Sequence, residues 1–382
     1  MKFKSINFTC KNCGAPLRFS PINDTLQCEF CLTKESIEAS TERIREYNLK
    51  EALHSLHKNR EQEINKEVKC NKCAATFTMT PYSISSNCPY CNTPAITEFV
   101  KEITPKSILP FQLSQQEAQI YFKAWIGTLW FAPSRLKSFL DGAKKLKGYY
   151  LPHWTYDAQT HTTYRGQRGD IYYVNVERNM MVNGRETRQV VREARIQWSA
   201  VSGAVNNAFD DITIGASKSI SHTILDNLTP WHTEHLVPFN EKYLSGFESE
   251  EYTIGLDNGF EFAKVKMETI IRRDIRRDIG GDQQQIGHMQ THYNHTTYKN
   301  VLFPIWTAEF KWNNKVYHYA INGQTGKVTG KRPYSWFKIG SIVLVVLTLM
   351  GGLVYLDQHP EIVNRFNGVD RHQNATPLRF NG

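Results

Sequence analysis

Eight cysteines stand in four Cys-x-x-Cys pairs, and the pairs spell one pattern twice. Cys10, Cys13, Cys28 and Cys31 read C-x2-C-x14-C-x2-C, and Cys70, Cys73, Cys88 and Cys91 repeat it sixty residues later, with no cysteine left over. Two cysteines separated by two residues share one tight turn, so both sulfurs can reach a single ion at about 2.3 Å, and a second such turn on a hairpin completes a tetrahedron. The spacing therefore predicts two structural Zn²⁺ ions, each closed by four thiolates. No ligand position remains for water, so metal-assisted hydrolysis is not expected there. Four thiolates around Zn²⁺ leave a charge of about −2, which turn N–H groups and the neighbouring Lys11, Lys69 and Lys72 would offset. A disulfide framework or a redox pair would use the same residue type. The first belongs to secreted chains, and the opening MKFKSINFTC has no apolar signal core. The second stands alone at a helix start and is not duplicated at equal spacing. A reducing compartment follows.

Other constellations that carry chemistry are absent or incomplete. Gly323-Gln-Thr-Gly326-Lys327-Val328 is too short for a phosphate-binding loop and ends in Val. Neither Gly-x-Ser-x-Gly nor His-Glu-x-x-His occurs. His232 with His235, and the trio His288, His292 and His295, read as strand or loop surface residues. An enzyme would require the fold to gather separated groups such as Asp210, Asp211, His232 and His235, so no catalytic residue is assigned and no enzymatic activity is expected. The run Arg272-Arg273-Asp274-Ile275-Arg276-Arg277-Asp278 alternates sign and predicts the solvated face of a helix.

The elements that must position the cysteines predict an α+β chain with two small N-terminal zinc ribbons joined by a helix, a body of mixed antiparallel sheet and helices, and one C-terminal transmembrane helix. Residues 5–35 form the first ribbon and 68–100 the second. Between them, 36–67 carries Ile37, Ile44, Leu49, Leu53, Leu56 and Ile64 among charges, a helical linker. The body runs over 108–334. It opens with the capping box Ser114-x-x-Glu117 and an apolar face of Ala118, Tyr121, Phe122, Trp125 and Leu129. Pro133 ends that helix, and 134–147 reads as another. Alternating residues on both sides of Asn183-Gly184 predict a hairpin of 171–182 with 185–198. Residues 256–279 return to helical spacing, 284–298 and 300–312 alternate again, and Asn313-Asn314 turns the chain into 316–321. Tyr150-Leu-Pro-His-Trp154 recurs as Leu302-Phe-Pro-Ile-Trp306, a faint internal repeat whose copies would begin equivalent strands.

From Ile339 to Leu356 the chain carries no charge. With its flanks, residues 337–356 are long enough at about 1.5 Å per residue to cross a bilayer core of about 30 Å. Trp336, Phe337 and Tyr355 suit the interfacial belt. Lys327, Lys331, Arg332 and Lys338 precede the span, whereas the tail, 357–382, mixes acidic and basic residues. The positive-inside rule then places the N-terminal bulk in the cytoplasm and a short tail outside, a single pass through the cytoplasmic membrane. The net charge of +9 suits nucleic acid or an anionic leaflet, and an anchored chain has the second use already.

The knuckles Cys10-Lys-Asn-Cys13-Gly14 and Cys88-Pro-Tyr-Cys91-Asn92 resemble zinc ribbons of the transcription-factor-B (TFIIB) type. Gly14 and Asn92 suit the left-handed residue after a knuckle. Leu32 and Ala74 depart from that pattern, so a different geometry is expected at their knuckles. The ribbons combine with Leu109-Pro110-Phe111, Tyr150-Leu-Pro-His-Trp-Thr-Tyr-Asp157, Val237-Pro238-Phe239, Tyr243-Leu-Ser-Gly-Phe247 and Asn322-Gly-Gln-Thr-Gly326-Lys-Val. Together they resemble a bacterial family of zinc-ribbon single-pass membrane proteins. His153 replaces the Phe usual in its Leu-Pro-Phe-Trp. Members are often labelled primosomal helicase-like, and some are associated with envelope-stress proteins of the phage-shock and band-7 types. The resemblance implies a scaffold that recruits protein partners of those types to the membrane. No nucleotide motif supports a helicase here. The alternative is nucleic-acid binding by the ribbons, with Lys2, Lys4, Lys11, Arg18 and Lys34 on the first.

Overall fold

The structure is a computed structural model that describes residues 2–4, 6–38, 40, 42–56, 66–79, 83–97, 104–133, 135–136, 146–182 and 185–358. In chain order the first elements are β1 (Lys2–Lys4), β2 (Leu17–Ser20), β3 (Thr25–Cys28), β4 (Lys34–Ser36), β5 (Tyr47–Asn48), α1 (Leu49–Leu56), β6 (Lys66–Lys69), β7 (Thr76–Met79), β8 (Ser83–Asn87) and β9 (Pro94–Ile96). Then come β10 (Ser107–Ile108), α2 (Gln115–Thr128), β11 (Lys147–Val182), β12 (Arg185–Gly215), α3 (His222–Asp226), β13 (Val237–Pro238) and β14 (Glu248–Glu250). The last are α4 (Leu256–Ile279), β15 (Gln283–Trp312), β16 (Lys315–Asn322), β17 (Val328–Gly330) and α5 (Trp336–Gln358). The protein is thus mixed α+β around one large sheet. Two compact units divide it: residues 1–122, 144–310 and 318–330 make the first, and 123–143, 311–317 and 331–382 the second.

Strand β11 is the axis of the large sheet. It pairs antiparallel with β15 from Lys147 to Gly169 and antiparallel with β12 from His153 to Val182. The alternation read as two segments, 284–298 and 300–312, is one continuous strand, because the bulges that interrupt its pairing shift register without breaking the ladder. The two copies of the sequence repeat face each other across this pairing, with Tyr150 opposite Pro304 and Leu151 opposite Phe303. Beyond Gly169 strand β15 ends, and β11 and β12 continue as a two-stranded hairpin to Val182 and Arg185. The Asn183-Gly184 turn lies outside the described residues.

Helix α4 lies across this sheet because its apolar residues recur at helical spacing. Leu256, Phe260, Ala263, Met267, Ile271, Ile275 and Ile279 are buried against Trp154, Tyr156, Ala158, Tyr164, Phe209 and Ile214. The alternating charges behave partly as expected, since Arg272 pairs with Glu268 four residues back at 2.6 Å. Two of the acids instead tie the helix to the sheet. Asp274 accepts from Asn207 Nδ2 at 2.7 Å, and Asp278 accepts from Tyr164 Oη at 2.6 Å. Gly280, at φ 66°, stops the helix, and its N–H donates to the Arg276 carbonyl.

The linker helix is shorter than the pattern over 36–67. The Asn48 side chain accepts from the N–H groups of Lys50 and Glu51 and starts α1 there. Tyr47 and Asn48 form β5 on β15 instead, with Tyr47 against Tyr298. Residues 57–65 lie outside the described residues, as does most of the helix expected over 134–147. Of the latter, 135–136 are helical and Lys147 already opens β11.

His153 is buried at 2% exposure, stacked on Phe303 at 4.6 Å, and its Nδ1–H donates to the Leu151 carbonyl at 2.9 Å. Burial pulls its pKa from 6.5 down to about 4. The unfolded chain therefore binds the extra proton between those values. The stability this residue contributes is present above pH 6.5 and is lost as pH falls toward 4, about 3 kcal/mol in all. His153→Phe is expected to flatten that part of the stability–pH curve, checked by denaturant unfolding between pH 4 and 7.

Two helical glycines make a contrasting pair. A Cβ on Gly259 would collide with Tyr156 Oη and lie 2.8 Å from Trp154 Cδ1, whereas one on Gly127 meets nothing within 4 Å. Gly259→Ala is expected to destabilise, the overpacking cost of about 1–3 kcal/mol outweighing a helix-propensity gain of about 1 kcal/mol. Gly127→Ala is expected to stabilise by up to about 1 kcal/mol. Thermal melts of both variants check the opposite signs.

Candidate metal centres

Each cysteine pair sits on the same backbone turn. The N–H of Cys10 donates to Ala15 O, and Gly14 N–H returns to Cys10 O. The same two bonds link Cys28 with Thr33 and Leu32, Cys70 with Ala75 and Ala74, and Cys88 with Thr93 and Asn92. All four residues after the second cysteine are left-handed: Gly14 at φ 71°, Leu32 at 61°, Ala74 at 60° and Asn92 at 54°. The different geometry expected at Leu32 and Ala74 is thus not found. Four sulfurs sharing one ion demand one turn shape, and the paired backbone bonds impose it on residues that accept the left-handed region less readily than Gly or Asn.

The turns bring the sulfurs together. Cys10 Sγ lies 3.5 Å from Cys31 Sγ, and Cys13 Sγ 3.5 Å from Cys28 Sγ. In the second group Cys70 to Cys91 is 3.6 Å and Cys73 to Cys88 is 3.8 Å. A tetrahedron of sulfurs each about 2.3 Å from zinc has edges of about 3.8 Å. A disulfide would need about 2.05 Å, so these are thiol groups spaced for an ion. All the donor atoms in each tetrad lie within 4.8 Å of one another.

The protonation pattern fits the same reading. Thr33 bonds Cys31 through its hydroxyl, at 3.1 Å, and its N–H, drawing that thiol down to about 6. At Cys91 burial opposes ionisation, but the Thr93 hydroxyl, at 3.2 Å, and N–H outweigh it and give about 6. At Cys13 the Ala15 N–H favours the thiolate but the surrounding sulfurs override it, and the thiol is pushed up to about 12. Cys73 is likewise held near 12 against the Ala75 N–H, by burial and its sulfur neighbours. Four thiols crowded together cannot all ionise without a cation, and a divalent metal supplies what the protons otherwise must. The Thr two residues past each second-knuckle cysteine was legible in the sequence as Cys-x-Thr, but only the hydrogen bonds give it a role.

The two modules are interlocked rather than spaced apart by a helix. β1 pairs in parallel with β6 of the second module, and Ile6 bridges to Ile96. β8 joins the large sheet through β14. In the first module Phe19 packs edge-on against Tyr243 at 5.0 Å, and Ser245 Oγ donates to Leu17 O at 2.7 Å. Arg18 Nε pairs with Glu29 at 3.3 Å while Nη2 donates to Asn92 O at 3.1 Å. One guanidinium thus joins the knuckle around Cys28 and Cys31 to the one around Cys88 and Cys91. Each knuckle carries an aromatic residue just before its second cysteine, and both are solvent-facing: Phe30 is 74% exposed and Tyr90 70%. Arg18, assigned from sequence to a nucleic-acid surface, is engaged inside this joint. Lys11 lies 3.9 Å from Glu35 and Lys34 donates to Asn23. The side chains of Lys2 and Lys4 lie outside the described residues.

The other sequence candidates stay apart. Asp211 pairs with Lys299 at 2.7 Å, His232 Nδ1 lies 3.2 Å from Glu234, and the His232 and His235 rings are 6.3 Å apart. His288 and His292 are exposed on β15 opposite Arg165 and His161, and His295 sits at a left-handed residue, φ 50°. Besides the tetrads, one group of metal-donor side chains converges among the described residues, Glu46, Asp157 and Asp210. There Lys299 reaches Glu46 at 3.2 Å, so a built-in ammonium neighbours those carboxylates.

The chain is similar to the uncharacterized protein YdjG of Bacillus subtilis (strain 168), 25% identical over 339 residues, which covers 88% of this chain and 92% of YdjG. No family model matches the sequence. No solved structure matches it either.

The expected outcome of Cys10→Ser with Cys13→Ser is loss of one metal ion per chain with the second retained, because each tetrad draws all its ligands from one module. Metal analysis of the purified variants checks it. Loss of both ions would show that the interlocked modules fold as one metal-dependent unit.

Proposed function

We propose that this chain is a membrane-anchored zinc-ribbon adaptor that recruits protein partners to the cytoplasmic face of a membrane. The observation that carries the reading is the joint knuckle face. Two turns, linked by Arg18 and stiffened by metal in this reading, present Phe30 and Tyr90 to solvent, and Leu32 is exposed as well. Exposed aromatics on a rigid frame lose little entropy on binding and are the residues that dominate protein interfaces. Both metals are structural zinc in this reading, since a four-thiolate set leaves no position for substrate. Helix α5 is long and apolar enough to cross a membrane. As the anchor, with the basic residues before it inside, it tethers the chain to the cytoplasmic side of the membrane. The resemblance to zinc-ribbon membrane proteins supports partners of the envelope-stress type.

The test is affinity purification of the tagged chain from solubilised membranes, with Phe30→Ala/Tyr90→Ala in parallel. The double variant is expected to lose co-purified protein at least tenfold, about 1.4 kcal/mol or more, while keeping its metal and its membrane fractionation. Undiminished recovery of the partner would contradict the reading. Recovery of nucleic acid that falls steeply with salt, and of no specific protein, would favour the nucleic-acid alternative.

A further inference from the structure

The start of α5 is tied to a loop that lies more than two hundred residues away in the sequence. Helix α2 ends at Thr128, and a turn over Leu129–Ala132 follows, closed by Ala132 N–H to Leu129 O at 3.1 Å. A turn at a helix end leaves carbonyl oxygens without intrahelical donors. Here they are satisfied from the entry of α5. Ser335 N–H donates to Phe131 O at 2.8 Å, and Lys338 Nζ donates to Trp130 O at 3.2 Å and Ala132 O at 2.8 Å. Leu129 and Ala132 turn inward and are buried, whereas Trp130 points out and is 75% exposed. Trp336 is 82% and Phe337 86% exposed at the head of the helix, and Tyr334 is exposed beside them.

Two features make this arrangement more than scattered surface aromatics. First, the uncharged run begins at Ile339, so Lys338 is the last charge before the apolar stretch and marks the depth at which the chain leaves water. Both carbonyls flanking Phe131 are bonded to that ammonium. The loop is therefore held within hydrogen-bond reach of the Lys338 ammonium. Second, indole is the side chain that prefers that level, with an apolar body for the acyl boundary and an N–H for the headgroups. Left in water, the same residues would form an apolar patch.

We infer that Trp130 is a second membrane contact: the Leu129–Ala132 turn, fastened by Lys338 and Ser335, seats Trp130 in the lipid headgroup–acyl boundary beside Trp336 and Phe337. The occupant of this surface is the bilayer that α5 enters, and the inference rests on reading α5 as the membrane span. With a loop as well as a helix at the interface, the turn after α2 cannot swivel freely about the anchor.

The experiment is tryptophan fluorescence of the full chain reconstituted into phosphatidylcholine vesicles, with lipids brominated near the upper end of the acyl chains. Wild type, Trp130→Phe and Trp336→Phe are compared. Both variants are expected to lose a comparable share of the lipid-quenched emission. If Trp336→Phe lowers the quenched share and Trp130→Phe leaves it unchanged, α5 is in the bilayer but the second contact is overturned. If neither variant changes it, the span reading fails and the inference with it.

Discussion

Everything at the N-terminal end depends on gathering four sulfurs within 4.8 Å of one another in each of two places, with facing pairs 3.5–3.8 Å apart. Uncompensated thiolates would repel at that spacing, and neutral thiols do not attract strongly enough to order four turns. A divalent cation would resolve the conflict, and each tetrad is spaced to hold one. The hairpins that deliver the turns are short, with β2, β3, β6 and β7 of four residues each. Strands of that length do not make a stable domain alone. The modules gain the rest from each other and from the body, through β1 on β6, β8 on β14 and Phe19 on Tyr243. The body, through Phe19 on Tyr243, and Arg18, through Glu29 and Asn92, constrain these knuckles from two sides.

The body works by a different rule. Its long strands are covered on one face by α4, and the close approach is made possible by small residues where bulky ones cross. Gly259 lets the helix down onto Trp154 and Tyr156, and Tyr164 lies over Gly203, where a Cβ would come within 2.6 Å of its hydroxyl. The hydrophobic contacts set the position of the helix along the sheet. The bonds from Asn207 to Asp274 and from Tyr164 to Asp278 fix its rotation.

Much of this was legible in residue order, and the parts that were not have identifiable causes. The ligand sets follow from spacing alone, because a Cys-x-x-Cys turn is a local structure. Helix α4 was readable because its apolar residues keep one period over 24 residues. The Asn313-Asn314 turn was readable too, with both residues left-handed at φ 45° and 62°. The left-handed Leu32 and Ala74 were not readable because the demand on them comes from the paired backbone bonds of the turn rather than from their own preferences. The interlocking of the modules was invisible because β1 finds its partner more than sixty residues on, and no local pattern encodes which of two similar modules it joins. The linker misread has the same origin. Ile44, Leu49 and Leu53 keep a helical spacing across Tyr47 and Asn48, yet β15 offers those two a strand partner. The role of Arg18 was hidden because one basic residue reads alike on a surface and in a clamp.

The measurement that bears most directly on the account is zinc-edge X-ray absorption of the purified full chain. Two zinc ions per chain are expected, each with four sulfur neighbours at about 2.3 Å and no nitrogen or oxygen in the first coordination sphere. A nitrogen or oxygen ligand would open the site to chemistry and contradict a purely structural role. A metal-free, folded chain with its thiols intact would contradict the premise that the cation holds the knuckles together.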